Sequence, residues 1–542
     1  MIDSESLQQK FPAESEIPEE FRLLSPIQQR TYLVDGELKT WSGACQTVLS
    51  PIAVRLANGE LRQSELGSYP IVEEAESEEA LDAAVAAYDN GRGQWPTMSV
   101  AERIACTQNF VKQILAQRSQ VVKLIMWEIG KSLADSEKEF DRTVDYVLAT
   151  IEALKELDNS NSRFMVVEGT IGQIRRTPLG VVLCMGPYNY PLNETFVTLI
   201  PALIMGNTVV FKPPKYGTLL FYPLLEAFRS AFPKGVINII YGRGQVIVPR
   251  LLGSGKVNVL TLIGSSRVAD HLKKQHPKSH RLRAILGLDA KNAAIILPDA
   301  DIELAVNECI TGTLSFNGQR CTALKMLIVH QSIVEPFLRQ FVEALGKLKV
   351  GMPWEKGVNI TPLPEPGKVA YLTECIEDAK AQGARVINPG GGASAATFFY
   401  PAVVYPVQEG MKLYREEQFG PVIPVMPFED IETALTYVIT SDHGQQVSIF
   451  GSSPEQIGSL VDPLVNQVSR VNINCQCQRG PDVFPFSGRK DSAEGTLSVT
   501  DALRSFSIRA VVAAKQTDAS KKLLDTIVLE HKSKFINTRF IF

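Results

Sequence analysis

The 542-residue chain lacks the marks of several protein classes. It has no stretch of about 18 uncharged apolar residues, so no membrane-spanning helix is expected. Its N-terminus has no apolar signal core and instead carries Asp3, Glu5 and Glu14, which points to a cytoplasmic protein. Charge of one sign does not dominate. The formal net charge is -4 and the pI about 6.0, which is not the balance of a nucleic-acid or polyanion binder. There is no internal repeat. The eight cysteines show no spacing of a disulfide framework, and most sit in apolar runs as small hydrophobes of a reducing compartment. Cys475 and Cys477 are one residue apart with no histidine nearby, too short a spacing for a zinc pair, so no metal is expected.

What remains is an ordinary globular composition, 45% hydrophobic and 21% charged, over a length that calls for two or three domains. Residues 1–60, the first thirty of them polar and irregular, read as a wrap over the surface. A helical pattern begins at Ser77, with Leu81, Val85 and Tyr88 on one face. Ser99-Val-Ala-Glu102 reads as a capping box before a long helix, and another helix is predicted from about Lys131 to Leu157. Short apolar runs then recur at 181–185, 208–211, 236–241, 257–263, 293–297 and 326–329. Helix-compatible segments separate the first four, which predicts a parallel, doubly wound α/β sheet. A second α/β unit follows over about 290–495, with a loop marked by Pro353, Pro362, Pro364 and Pro366 and a turn at Gly390–Gly392.

The clearest chemical signal is Asn317-Gly-Gln-Arg320-Cys321-Thr. A glycine, a cation and a cysteine in succession favour a reactive thiolate, although a lone cysteine is more often inert. No histidine belongs to this segment, which weakens a cysteine–histidine hydrolase. Gly186-Pro-Tyr-Asn189-Tyr-Pro191 follows an apolar strand, at the edge where α/β sheets carry their sites. The Asn189 amide there can donate to an oxyanion or merely shape a turn. Strand 257–263 runs into Gly264-Ser265-Ser-Arg267, whose helix start can meet a phosphate. Lys212-Pro-Pro-Lys215 places two cations at another strand end, either for a ribose or phosphate or as a solvated loop.

Taken in order, these segments resemble the aldehyde dehydrogenase superfamily over about 32–515. Gln-Arg-Cys321-Thr resembles its nucleophile segment, Asn189-Tyr-Pro its oxyanion segment, and Glu417-Gln-Phe419-Gly-Pro the segment whose glutamate holds the nicotinamide ribose. Ser315-Phe-Asn-Gly-Gln-Arg-Cys-Thr-Ala323 and Arg479-Gly-Pro-Asp-Val-Phe-Pro-Phe486 are most similar to the non-phosphorylating, NADP-dependent glyceraldehyde-3-phosphate dehydrogenases. The resemblance implies a Rossmann-like cofactor domain (61–287, with an arm strand near 163–176), a catalytic domain (288–495), an oligomerisation arm (496–515), a tail (516–542) and a homodimer or homotetramer.

It further implies oxidation of a phosphorylated aldehyde through a Cys321 thioester, with NADP as acceptor and NAD as the alternative. Lys212, Lys215, Gly264, Ser265, Glu417 and Phe419 are expected at the cofactor. Arg142, Tyr190, Arg320 and Arg479 are expected at the substrate phosphate. One departure stands out. The family's Glu-Leu-Gly-Gly-Lys segment is Gly287-Leu-Asp289-Ala-Lys291 here, so Gly287 replaces the deacylating base. Asp289, on the same side of an extended strand, is the candidate substitute, with local capping as its competing role. Gly287 also opens two rival readings, a coenzyme-A-acylating semialdehyde dehydrogenase and an inert relative kept as a binding protein.

Overall fold

All six apolar runs are strands, trimmed or extended by one or two residues, in a computed structural model that describes residues 2–23 and 25–542. Four of them build an eight-stranded sheet. Its order is 493–494, 283–287, 259–263, 181–185, 208–212, 237–239, 31–34 and 37–40. The five strands from 283–287 to 237–239 run parallel, and antiparallel pairs close both edges. Strands 181–185, 208–212 and 237–239 progress one way across the sheet, while 259–263 and 283–287 lie on the other side. The order therefore reverses between Met185 and Ile263, and the carboxyl ends of those strands open a crevice.

The other two runs lie in a second, seven-stranded sheet spanning 293–473, parallel except for the edge strand Arg385–Val386. A third sheet is antiparallel, with Ser507–Lys515 beside Thr170–Pro178 and Met165–Val167. Met165, Val166, Val167, Ile508 and Val511 are exposed on it.

Helices follow the predicted pattern. Ser99 and Glu102 form the reciprocal cap of helix Val100–Leu115, and the long helix spans Leu133–Ser160. The N-terminal segment is more than a wrap. Residues 31–40 form a hairpin that extends the eight-stranded sheet, turning at Asp35-Gly36, both with positive φ (54° and 73°). Cys45–Arg55 pairs with Leu61–Pro70, so a boundary at residue 60 would cut a hairpin. The tail carries an exposed helix, Asp518–Leu529, and then returns along its own chain. The Asn537 carbonyl accepts from the Gln173 amide at 2.6 Å, Ile541 pairs with Asn159 through two 2.8 Å bonds, and Lys534 meets Glu102 at 2.8 Å. Among the described residues no helix is long and apolar enough to cross a membrane.

Candidate active site

The thiol is presented by a backbone that ordinary residues resist. After helix Ile302–Leu314, three successive residues, Phe316, Asn317 and Gly318, have φ of 49°, 55° and 71°. Buried Asn317 stabilises this turn by exchanging hydrogen bonds with Thr361. Its amide donates to the Thr361 carbonyl at 3.0 Å, and the Thr361 N–H donates back at 3.1 Å. Gly318 has no substitute, because a Cβ would lie 2.7 Å from the Thr313 carbonyl oxygen and 2.8 Å from that of Gly420. Beyond the turn, the Cys321 carbonyl accepts from the Asn292 amide (2.8 Å) and the Lys325 ammonium (3.0 Å). The Cys321 side chain opens into a cavity of about 550 Å³ whose wall includes Asn189, Glu194, Gly287 and Glu417. Burial pushes the thiol above its ordinary pKa. Glu194 adds to that shift, and Lys325 and Arg479 oppose it.

Asn189 reaches the same cavity from the end of strand 181–185. Its amide donates to the Gln319 carbonyl at 2.8 Å, which leaves one N–H of that amide for another acceptor. The loop is held from beneath by Lys131 and Glu139, an ion pair whose side chains are both 0% exposed. The Lys131 ammonium donates to the Asn189 carbonyl at 2.8 Å and sits 3.5 Å from the Tyr190 ring centre. Glu139 accepts the N–H groups of Leu192 and Asn193, where the next helix begins. That helix passes so close that a Cβ on Gly186 would lie 1.7 Å from Thr195 Oγ1.

At the reversal of strand order, a second cavity of about 900 Å³ adjoins the first, with Lys212 and Lys215 in both walls. Arg243, Arg267 and His271 also line it, and no carboxylate does. The Lys212 ammonium donates to the Pro213 carbonyl at 2.8 Å, and burial lowers its pKa to about 8. Lys215 is exposed. The loop carrying both lysines is pinned by Glu128, which accepts the N–H groups of Thr218, Leu219 and Leu220. Gly264 and Ser265 precede helix Ser266–Lys273, capped by the Ser265 hydroxyl. Glu417 is not free. It pairs with Lys325 at 2.6 Å and accepts the Ala290 N–H at 3.2 Å. Phe419 packs edge-on to Tyr188.

The structure redistributes the remaining expectations. Asp289 accepts both the N–H (2.7 Å) and the hydroxyl (2.8 Å) of Ser266, a capping role at the start of that helix, although its carboxylate does line the Cys321 cavity. None of Arg142, Tyr190, Arg320 or Arg479 lines that cavity. Arg142 pairs with Asp482 at 2.9 Å. Buried Arg479 pairs with Glu194, and its Nε lies 3.5 Å from the same Asp482. Arg320 has only neutral partners, the carbonyls of Thr311 and Gly312 and the side chain of Gln476. Sequence reading missed Lys131, Glu139, Glu194, Asn292 and Lys325. Nothing in their letters separates Lys131, Glu139 and Lys325 from surface charges, and only their burial sets them apart.

A cysteine and an amide donor line one cavity, beside a cationic crevice at the switch point of an α/β sheet. The model of the aldehyde dehydrogenase family matches residues 57–512, and the chain belongs to that family of aldehyde-oxidising oxidoreductases. An NADP-dependent glyceraldehyde-3-phosphate dehydrogenase from Streptococcus equinus is 32% identical over 84% of this chain and 93% of its own length. A lactaldehyde dehydrogenase from Methanocaldococcus jannaschii is 26% identical over 82% and 94%. The crystal structure of an NADP-dependent glyceraldehyde-3-phosphate dehydrogenase from Bacillus halodurans, complexed with NADP, superposes with a TM-score of 0.82. That match is 29% identical and covers 91% of this chain and 100% of the other.

Two predictions follow from the site alone. Glu139→Gln strands the buried Lys131 charge and should lower stability by about 3–5 kcal/mol in urea unfolding. Replacing both partners, Lys131→Met with Glu139→Leu, should recover most of that stability but not the activity; recovered activity would mean the pair does not position Asn189. Iodoacetamide labelling of Cys321 in cofactor-free enzyme, followed by peptide mass spectrometry, should keep rising with pH beyond the ordinary thiol range. A rate already level by about pH 8 contradicts the buried-thiol assignment.

Proposed function

We propose that the enzyme oxidises glyceraldehyde 3-phosphate, or a similar phosphorylated aldehyde, to the acid with NADP, through a thioester on Cys321. The observation that carries this reading is the shared space: thiol, Asn189 amide and cationic crevice open onto adjoining cavities. The Cys321 thiolate attacks the aldehyde carbon. The oxyanion that forms is met by the remaining N–H of the Asn189 amide and by the Cys321 backbone N–H, which has no acceptor among the described residues. NADP bound in the crevice would supply a hydride acceptor, and loss of hydride from the adduct would leave the thioester.

The crevice fits NADP because it offers Lys212, Lys215, Arg243 and Arg267 and no carboxylate that would repel a 2′-phosphate. Two unit charges about 4 Å apart interact by roughly 4 kcal/mol at an effective dielectric of about 20. Solvent at exposed Lys215 reduces this to about 1–2 kcal/mol, still about tenfold or more in preference. An anionic substrate fits the charge count around Arg479. Arg142 and Arg479 pair with the carboxylates Asp482 and Glu194, while Arg320 has only neutral partners among the described residues and is the cation left for an anion.

Lys215→Glu should invert or erase the preference for NADP over NAD in kcat/KM. The lowered pKa of Lys212 adds a pH signature. Its charge is lost as pH rises through about 8, so the Kd for NADP should rise there while that for NAD stays flat. Equal turnover of both cofactors by the parent enzyme contradicts the assignment.

For the substrate, Arg479→Leu and Arg142→Leu are poor probes because they take a partner from Glu194 and Asp482. Arg320→Gln is cleaner, since its partners are neutral. Losing one guanidinium contact of about 2–3 kcal/mol should cut kcat/KM for glyceraldehyde 3-phosphate roughly 30- to 150-fold and spare propanal. Equal losses with both aldehydes make Arg320 structural. Product analysis with and without coenzyme A separates hydrolysis from acyl transfer, the second reading that Gly287 favours.

A further inference from the structure

A thioester on Cys321 must be cleaved for turnover, and the strand end that would carry a base holds Gly287. Four carboxylates line the cavity with the thiol: Glu194, Asp289, Glu365 and Glu417. Each has fixed partners, so placement is what separates them. Asp289 takes two bonds from Ser266, Glu417 is clamped by Lys325 and the Ala290 N–H, and Glu365 pairs with Lys368 and accepts the Tyr188 hydroxyl.

Glu194 differs in placement. It stands five residues after Asn189, in the first turn of the helix behind the oxyanion loop, buried and on the wall beside Cys321. Its Oε2 is held by Arg479 and its Oε1 by the Asn193 amide at 3.2 Å, two of the roughly four acceptor sites a carboxylate has. Its partner stays charged: burial pushes the Arg479 guanidinium down, but Glu194 and Asp482 hold it above its ordinary value. Of the charged groups around the thiol, Glu194 acts on it most strongly.

We propose that Glu194 is the general base of deacylation, taking over the role that Gly287 cannot fill. This rests on the reading of a Cys321 thioester. Water attacks the thioester carbonyl carbon through its oxygen as one of its protons passes to Glu194. The C–S bond breaks, and its electron pair leaves with the Cys321 sulfur. The acid departs, and the proton on Glu194 passes to the thiolate. The resting site, a buried carboxylate beside a thiol, is thereby restored. Nothing is oxidised or reduced in this half of the cycle, and no co-reactant other than water is needed.

Rapid-quench kinetics with NADP test this, using glyceraldehyde 3-phosphate and propanal in parallel so that the outcome does not depend on phosphate recognition. Glu194→Gln keeps the size of the side chain and a hydrogen-bond acceptor for Arg479. It should give an NADPH burst near one per active site, followed by steady turnover slowed about 10²- to 10³-fold. Hydroxylamine, a nucleophile that needs no base, should restore that turnover.

Installing Gly287→Glu in the same variant should recover at least about tenfold, below the roughly 10²-fold low end for a well-placed base because this one is newly installed. The site has room for it: a Cβ at Gly287 meets nothing nearer than Ile263 at 3.5 Å and Leu497 at 3.8 Å. Burst and steady rate falling together, or a steady rate unchanged, overturns the assignment. If Glu194→Gln does not fold, Glu194→Asp keeps a counter-ion for Arg479 and should show the same signature in smaller degree; a normal steady rate in that variant overturns it equally. Parent enzyme that forms no acyl-enzyme overturns the thioester reading itself. Parent enzyme that releases its acyl group only as the coenzyme A thioester overturns the water mechanism, and each failure is distinct.

Discussion

The site depends on one buried ion pair. Lys131 and Glu139 have no exposed side-chain surface, yet each spends its charge on backbone. The ammonium grips the carbonyl of Asn189, and the carboxylate grips the N–H groups of Leu192 and Asn193. A charge removed from water is tolerated only when its partner and remaining hydrogen bonds are supplied in good geometry. That requirement works in reverse as a positional constraint, since the loop bearing the amide donor cannot shift without stranding two charges. Gly186 tightens it further, because the helix that starts at Asn193 packs where a side chain would be.

Elsewhere in the catalytic half the same logic recurs with a different purpose. Lys325 bridges the Cys321 carbonyl and Glu417, so the nucleophile segment and the segment expected to hold the cofactor ribose share one cation. Arg479 bridges Glu194 and Asp482, and Asp482 in turn carries Arg142. These are relays of alternating sign in which a ligand must exchange one partner for another. A carboxylate from the chain already sits where an anionic substrate is expected to be neutralised. Under the proposed function, recognition there would be a competition between two anions for one guanidinium, a different matter from binding to an empty cationic pocket.

Much of this was legible in the residues. The apolar runs foretold the strands because parallel strands buried on both faces have no polar alternation, and Ser99-Val-Ala-Glu102 marked a helix start because its two side chains satisfy each other's backbone donors. Cys321 and Asn189 stood out as candidates because their segments are short and contiguous, and the structure brings both to one cavity. Strand 283–287 escaped notice because it opens on Arg283 and ends on Gly287, so its apolar stretch is only three residues long. The hairpin at 31–40 carried a usable signal, Asp35-Gly36 between two short extended segments, which is two-residue turn chemistry. Glu194 and Lys131 carried none. A buried charge has the same letter as an exposed one, and Glu194 meets Arg479 across 285 residues of chain.

The proposed acylation of Cys321 during aldehyde oxidation is seen directly by peptide mass spectrometry of enzyme acid-quenched within the first turnover, with glyceraldehyde 3-phosphate and NADP present. The mass of the substrate acyl group should appear on the peptide containing Cys321, dependent on NADP, and on none of the other seven cysteines. Oxidised product formed with Cys321 unmodified throughout, or an adduct on another cysteine, would contradict it.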